Sequence, residues 1–423
     1  MRDSTVVLPT EPFVAERLLA PEQALALYFS RVAPLLPRIE HVGLAQAAGY
    51  VLAENAVARE DHPAHARSTM DGFALAASGD GRRRIIGEIL MGAPPPCAVG
   101  ATETLRIPTG GALPEGADAV VPIEDVDERD GWIVVREPVE SGACLTQRGD
   151  DIRAGVIAIE RGRRIGGPEL GVLATLGLTS LPVYVRPRFG IVSTGDELID
   201  PAETPALGQV RDSNRYAIAG ALAALGAEPV QLPRAPDRFD ELRGLLAAAL
   251  EECDGVILTG GSSVGMRDLT PQALASLGAP GVVVHGLRVK PGKPTVLGAI
   301  GGKPVIGLPG NPASSLTILE AVARPIVVAA TGERAGAPVV LEATAATPFN
   351  GREGWTWYVP VRLRNDAGRL FAEPLAIRSS HATLLARAAG FATIGESPAH
   401  VEAGSQIRVT LFSSGGAPIE GGP

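Results

Sequence analysis

Three short segments of this chain combine glycine, hydroxyl and carboxylate side chains in a way that suits phosphate chemistry. They are Ser193-Thr194-Gly195-Asp196-Glu197, Thr259-Gly260-Gly261-Ser262-Ser263-Val264-Gly265, and Leu308-Pro309-Gly310-Asn311-Pro312-Ala313-Ser314-Ser315. Glycine lets backbone N–H groups come close to an anion, and Ser and Thr add hydroxyl donors. Pro312 opens a helical pattern, whose N-terminus would add partial positive charge. Lys290 and Lys293, in VKPGKPT, add full charge on a Pro-Gly turn. Asp196, Glu197 and Asp268 are carboxylates in the same kind of loop, and oxygen ligands beside phosphate are what Mg²⁺ takes. A single glycine-rich loop is ordinarily only a turn. Three of them, with two lysines and several acids in one stretch, outweigh that reading. No GxxxxGK[ST] and no GxGxxG is present, which disfavours an ordinary P-loop ATPase or a Rossmann dehydrogenase.

The elements around these loops alternate. RFGIVS, AEPVQL, GVILT, VVVHGLRV and PVIGL are short β-branched runs, while NRYAIAGALAALG, FDELRGLLAAALEE and PASSLTILEAVARPIVVAA have helical spacing. Strand then helix, repeated, predicts an α/β unit with a mainly parallel, doubly wound sheet. Its loops would emerge at the carboxyl ends of the strands and line one crevice.

The rest of the chain has a different texture. PEQALALYFSRV and HVGLAQAAGYVLAENAVA read as helical, as does PELGVLATLGL further on. Between them, TETLRIP, AVVPIED and GWIVVRE read as strands in a small β-rich unit. This predicts one N-terminal domain interrupted by another: 1–58 and 148–186 belong together, and 59–147 is the insertion. Residues 187–332 form the α/β domain. Residues 337–414, with LEATAATPF, WTWYVPVRLR, RLFAEPL, FATIGE and QIRVTLF, read as a small β-domain or barrel with a short helix near ATLLARAA. Residues 415–423 read as a disordered tail.

The insertion holds a second cluster, Ser68-Thr69-Met70-Asp71-Gly72 and Thr109-Gly110-Gly111, whose plain reading is two surface turns with Asp71 in an Asx-turn. His62 and His65 are three apart, but Pro63 argues against one helical face and no third ligand adjoins them, so they read as solvated. Arg82-Arg83-Arg84 reads as a solvated turn. Trp355 and Trp357 alternate on a strand and so share one face.

Composition narrows the classes further. Lys plus Arg is 38 against 47 for Asp plus Glu, a net charge of −9, so binding to nucleic acid by counterion release is disfavoured. Apolar residues are 45% and aromatics only 4%, so aliphatic side chains must fill several cores. Cys97, Cys144 and Cys253 form neither a disulfide framework nor a Cys-x-x-Cys metal site. The N-terminus lacks the apolar core of a signal peptide, and no run reads as a membrane span. The expectation is a cytoplasmic protein acting without membrane or nucleic acid.

STMDGFA, PTGGALPEGADAVV, RGDDIRAG, GIVSTGDEL, DSNRYAI, ILTGGSSVGMRD, VKPGKPT and GLPGNPASS follow one another here. In that order they resemble the motifs of the molybdopterin molybdenumtransferases, the MoeA-like family that includes the gephyrin E domain. The resemblance runs from about Pro21 to Phe412. It implies an α/β and β multidomain fold: a helical N-terminal domain, a lasso-like β insertion, a molybdopterin-binding α/β domain and a small C-terminal β-barrel, paired as a homodimer. It implies insertion of molybdenum from molybdate into adenylylated molybdopterin, with Mg²⁺-dependent release of AMP. A molybdopterin adenylyltransferase would act upstream, and molybdoenzyme apoproteins or cofactor chaperones downstream.

Residue by residue, the resemblance gives catalytic roles to Asp71, Thr109, Glu197, Asp237 and Asp268, with Asp71 and Thr109 reaching across the dimer. Glu197 and Asp268 would hold the metal. The loops above, the lysines Lys290 and Lys293, and the barrel residues Arg352 and Ser380 would bind substrate. This chain departs from the family pattern at Met266, where an acid is usual, and at GREGWTW, where GRxxF is expected. The alternatives are a non-catalytic molybdopterin-binding paralogue or scaffold, and a molybdopterin adenylyltransferase, which lacks the three extra segments.

Overall fold

The structure is a computed structural model describing residues 18–78, 81–260, 269–334, 336–375, 382–413 and 415–420. Helix α1 (Pro21–Arg31) begins with proline at its first position, and Gln23 accepts a hydrogen bond from the Ala20 N–H at 3.3 Å. Ala24 and Tyr28 form its buried face.

The stretch 41–58, expected to be helical, is instead a series of short strands joined by a 3-10 turn (Leu44–Gln46) and bends. Ile39–Gly43 pairs antiparallel with Ser180–Tyr184 in register Ile39↔Tyr184. Val51–Leu52 flanks the same strand, and Ala56–Val57 pairs with Ile157–Ile159. Long-range pairing overrides the apparent helical spacing, and a left-handed turn at Gly49 (φ 79°) breaks any helix. Leu52, Ile165, Leu173, Leu181 and Val183 pack into one core beneath α2 (Gly167–Thr175), so segments on either side of the insertion close on each other.

Within the insertion, six strands form a sheet in the spatial order 119–122, 72–75, 103–107, 82–88, 132–135, 126–129. The three arginines expected in a turn lie on its strand Arg82–Glu88. Arg83 is buried and donates to the Ala76 carbonyl at 3.2 Å.

The α/β domain is built on β1 (Arg188–Ser193), β2 (Glu228–Gln231), β3 (Gly255–Thr259), β4 (Pro280–His285), β5 (Val296–Ile300) and β6 (Lys303–Leu308). Their order is β2-β1-β3-β6-β5-β4. The first four are parallel, while β5 runs antiparallel to both β6 and β4. Helices α3 (Asn214–Ala224), α4 (Phe239–Glu252) and α5 (Leu269–Leu277) cover the sheet. Every residue of β3 is buried, as a central strand covered on both faces requires.

The long helical run 312–330 is not continuous. Helix α6 (Pro312–Ile318) passes through a π turn (Leu319–Ala323) into α7 (Arg324–Ala330). Pro325 lacks the N–H that an unbroken ladder needs. The run is long and apolar enough to cross a membrane, but most of it is buried inside the α/β core with Ile318, Val322 and Val327.

The C-terminal strands β7 (Val340–Ala345), β8 (Thr356–Asp366), β9 (Arg369–Pro374), β10 (Gly390–Ile394) and β11 (Gln406–Leu411) close into a barrel, since β8 pairs with both β9 and β10. Val289–Lys290, from the α/β domain, adds to its edge in register Lys290↔Trp357. The tail, expected to be disordered from residue 415, is held against the barrel over its described part. The Asn365 N–H donates to the Glu420 carbonyl at 2.7 Å, and Arg362 pairs with the Glu420 carboxylate at 3.1 Å.

Candidate functional site

Strands β1, β3 and β6 are neighbours, and their last residues are in register: Ser193↔Thr259 and Thr259↔Leu308. Three loops far apart in sequence therefore leave the sheet side by side. They open a cleft of about 660 Å³ lined by Thr194, Glu197, Thr259, Gly260 and the segment Pro309 to Pro312. This is the carboxyl edge of the parallel strands, where open α/β sheets bind ligands.

The floor is backbone packed on backbone. The Thr194 N–H donates to the Thr259 carbonyl at 2.9 Å. Gly260 has φ 94°, and a Cβ there would collide with the Thr194 carbonyl oxygen. Only glycine permits both the conformation and the approach.

Asn214, the first residue of α3, clasps two of the loops. Its amide nitrogen donates to Thr259 Oγ1 at 2.7 Å and to the Gly310 carbonyl at 2.8 Å. A carbonyl can only accept, so this contact fixes which end of the amide is nitrogen. Beside it, Asp212 Oδ1 accepts from the Arg215 N–H at 3.3 Å, and Asp212 Oδ2 lies 3.4 Å from Arg215 Nε. Ser193, Thr194, Asp212 and Asn214 are all buried.

Glu197 lies exposed on the rim. Its carbonyl accepts from the Val210 N–H at 2.9 Å, in a small parallel ribbon where Leu198–Ile199 pairs with Val210–Arg211. That ribbon carries Arg211 into the cleft wall. Arg211, Asp212 and Asn214 were not among the residues singled out from sequence, although DSNRYAI was among the recognised motifs. Their signal is position: they lie where the ribbon passes into the helix that follows it. From the barrel, Ala382 completes the lining.

Other predicted residues fall elsewhere. Asp196 and Asp237 meet each other beside the cleft, the Asp237 N–H lying 3.4 Å from Asp196 Oδ1, and neither lines it. Ser193 and Ser314 are buried beneath the walls. Lys290 and Lys293 do not line the cleft, although Pro294 does. The Lys290 ammonium sits 4.1 Å from the centre of the Trp357 ring, drawn there by strand pairing with the barrel. Gly292 between the lysines has φ 107° and presses on Ile318 of α6, which leaves no room for a side chain. Arg352 is exposed on the barrel, 5.3 Å from the Trp355 ring. Gly261, Ser262, Ser263, Gly265, Asp268 and Ser380, like Met266, lie outside the described residues.

In the insertion, Asp71 and Thr109 come together but do not line the cleft of their own chain. Asp71 Oδ1 accepts from the Thr109 N–H at 2.6 Å and from its hydroxyl at 3.0 Å. The backbone N–H, then the hydroxyl, hold the carboxyl below its usual range. The partner is therefore a distant threonine rather than a local Asx-turn.

Comparison with known proteins finds matches between residues 19 and 412. The family described as the MoeA N-terminal region (domain I and II) matches residues 19–177. A "Probable molybdopterin binding domain" matches 190–329, and the MoeA C-terminal region (domain IV) matches 342–412. A molybdopterin molybdenumtransferase from Synechocystis is 32% identical over 366 residues, covering 84% of this chain and 90% of its own length. One from Bacillus subtilis is 30% identical over 386 residues, covering 88% and 90%. The crystal structure of a molybdopterin biosynthesis MoeA protein from Pyrococcus horikoshii is 32% identical, with a TM-score of 0.77 over 93% of this chain and 99% of that one. The chain belongs to the molybdopterin molybdenumtransferase family.

Proposed function

We propose that the chain inserts molybdenum from molybdate into adenylylated molybdopterin, with Mg²⁺-assisted release of AMP. The observation that carries this reading is the cleft itself. Three strand ends in register present glycine backbone, the Thr194 and Thr259 positions and the start of α6 to one space, with Glu197 on its rim. Such a floor accepts phosphoryl oxygens, and the volume suits a nucleotide-sized ligand.

The residues present fit Mg²⁺. The donor on the described rim would be the exposed Glu197 carboxylate, and no group of three or more metal-binding side chains occurs among the described residues. Mg²⁺ takes only one or two carboxylates and fills its shell with phosphate and water. Glu197 would hold it, together with Asp268. When bound, the ion neutralises charge on the phosphoryl oxygens. The protein's own part is to orient the pyrophosphate on the loop N–H groups and to shield it between the α/β domain and the barrel. The dithiolene sulfurs belong to the substrate, so Cys97, Cys144 and Cys253 take no part.

The active unit we propose is a homodimer, in which Asp71 and Thr109 of one copy complete the cleft of the other. Three unpaired cysteines support a cytoplasmic setting. A molybdopterin adenylyltransferase supplies the substrate, and apoenzymes or cofactor chaperones take the product. A reconstitution with purified protein, adenylylated molybdopterin, Mg²⁺ and molybdate tests the reading. Molybdate-dependent AMP release with active cofactor is expected. Tight nucleotide binding without release would point to a binding paralogue instead.

A further inference from the structure

The cleft contains a cation that its motifs do not advertise. Among the described residues lining it, Glu197 and Asp212 are acidic and Arg211 alone is basic. A pyrophosphate-bearing substrate brought beside Glu197 needs positive charge nearby. The two lysines expected to supply it do not line the cleft, and Lys290 is engaged by Trp357.

Arg211 is placed and free to do so. Backbone pairing with Ile199 fixes its Cα at the rim. Its Nε donates to the Glu203 carbonyl at 3.0 Å, which holds one edge of the guanidinium. The two terminal nitrogens make no hydrogen bond or ion pair among the described residues. The neighbouring carboxylate does not neutralise it, because Asp212 is buried and turned to Arg215. A planar fork with free donors is the geometry that grips a phosphate through two oxygens.

We propose that Arg211 is a substrate-binding residue that holds the phosphate oxygens of the adenylylated pterin and of the AMP it releases. This assignment rests on the proposed function. The test compares the full-length protein with Arg211→Gln and Arg211→Lys. AMP release is followed against adenylylated molybdopterin concentration, and AMP binding is measured by calorimetry at two salt concentrations. Arg211→Gln should raise KM and the AMP Kd about ten- to a hundredfold. Arg211→Lys should fall between, since it keeps the charge but not the fork. The loss in Arg211→Gln should be accompanied by a weaker salt dependence of AMP binding. Because the side chain is exposed, the thermal midpoint should stay within about 2 °C.

Turnover by the parent protein with an unchanged KM in Arg211→Gln overturns this assignment alone. A loss that tracks a large fall in thermal midpoint also overturns it, because the role is then structural. A parent protein that neither binds AMP nor releases it overturns the assignment together with the proposed function.

Discussion

Asp71 and Thr109, 38 residues apart, share one oxygen: Oδ1 of the aspartate accepts both the backbone N–H and the hydroxyl of the threonine. Two motifs in turns beside different strands of the insertion thus form a single unit. Met70, Leu90, Met91 and Ile123 are exposed apolar side chains of the same domain. Because the hydrogen bonds favour the ionised form, Asp71 stays a carboxylate further into acid than an isolated one would. Thr109→Val removes the hydroxyl bond and leaves the backbone bond. The Asp71 carboxyl should then titrate at higher pH than in the parent, still below its ordinary value, as followed by NMR of the side-chain carbon.

If Asp71 serves the cleft of a second copy, two inactive variants should complement each other. Asp71→Asn and Glu197→Gln should each abolish AMP release. Mixed after dissociation and reassociation, they should regain about a quarter of parental activity, since half the dimers then hold one intact site of two. No recovery in verified mixed dimers would show that Asp71 does not complete the cleft of the other copy.

Asn214 should matter to substrate affinity more than its absence from the obvious motifs suggests. Asn214→Ala leaves Thr259 Oγ1 and the Gly310 carbonyl without their shared donor. A stability loss of about 1–3 kcal/mol is expected by chemical denaturation. KM for the pterin nucleotide should rise with it, because the clasp sets the spacing of two loops. Asn214→Asp should be worse at neutral pH, where a carboxylate would face the Gly310 carbonyl oxygen.

Gly260→Ala combines a left-handed backbone with a collision at the Thr194 carbonyl. The conformational strain alone costs about 1–3 kcal/mol. Loss of nucleotide binding should exceed what the fall in thermal midpoint explains, and calorimetry beside a melting curve separates the two.

Glu320 and Arg324 form a buried pair on the helix that leaves the cleft, at 3.7 Å and closed by Ser413 of the barrel side. Ser413 donates its hydroxyl to Glu320 at 2.7 Å and its N–H at 3.1 Å, while Arg324 also donates to the Gly336 carbonyl at 3.3 Å. Burial pushes the Glu320 carboxyl up, against the pull of Ser413 and Arg324. Arg324→Met should destabilise the protein by about 3–5 kcal/mol at neutral pH, because it strands a buried charge. A folded pKa raised above the unfolded one means that stability falls as pH rises between the two. The variant should therefore regain part of its deficit on acidification toward the unfolded carboxylate value. Denaturation midpoints compared across that range check the sign.

Much of this protein is legible along the chain because local rules decide it. FDELRGLLAAALEE is α4 to the residue, and GVILT is β3, since helical spacing and a buried β-branched run each have one stable reading. The glycine-rich segments could be recognised as loop ends for the same reason. What residues 41–58 become is not local: their apolar spacing suits a helix, and only pairing with the strands at 180–184 and 157–159 draws pieces of them into sheets. Val296–Ile300 becomes an antiparallel strand only because β4 and β6 stand on either side. The same holds at the site. Sequence order alone determined which residue types this chain carries for phosphate and metal. Tertiary structure decided that Lys290 faces a tryptophan, that Arg211 and Asn214 stand in the cleft, and that Asp71 meets Thr109. The physical reason is that side-chain contacts depend on strand register and on the direction of Cβ, and these are set by pairing between residues that the chain keeps far apart.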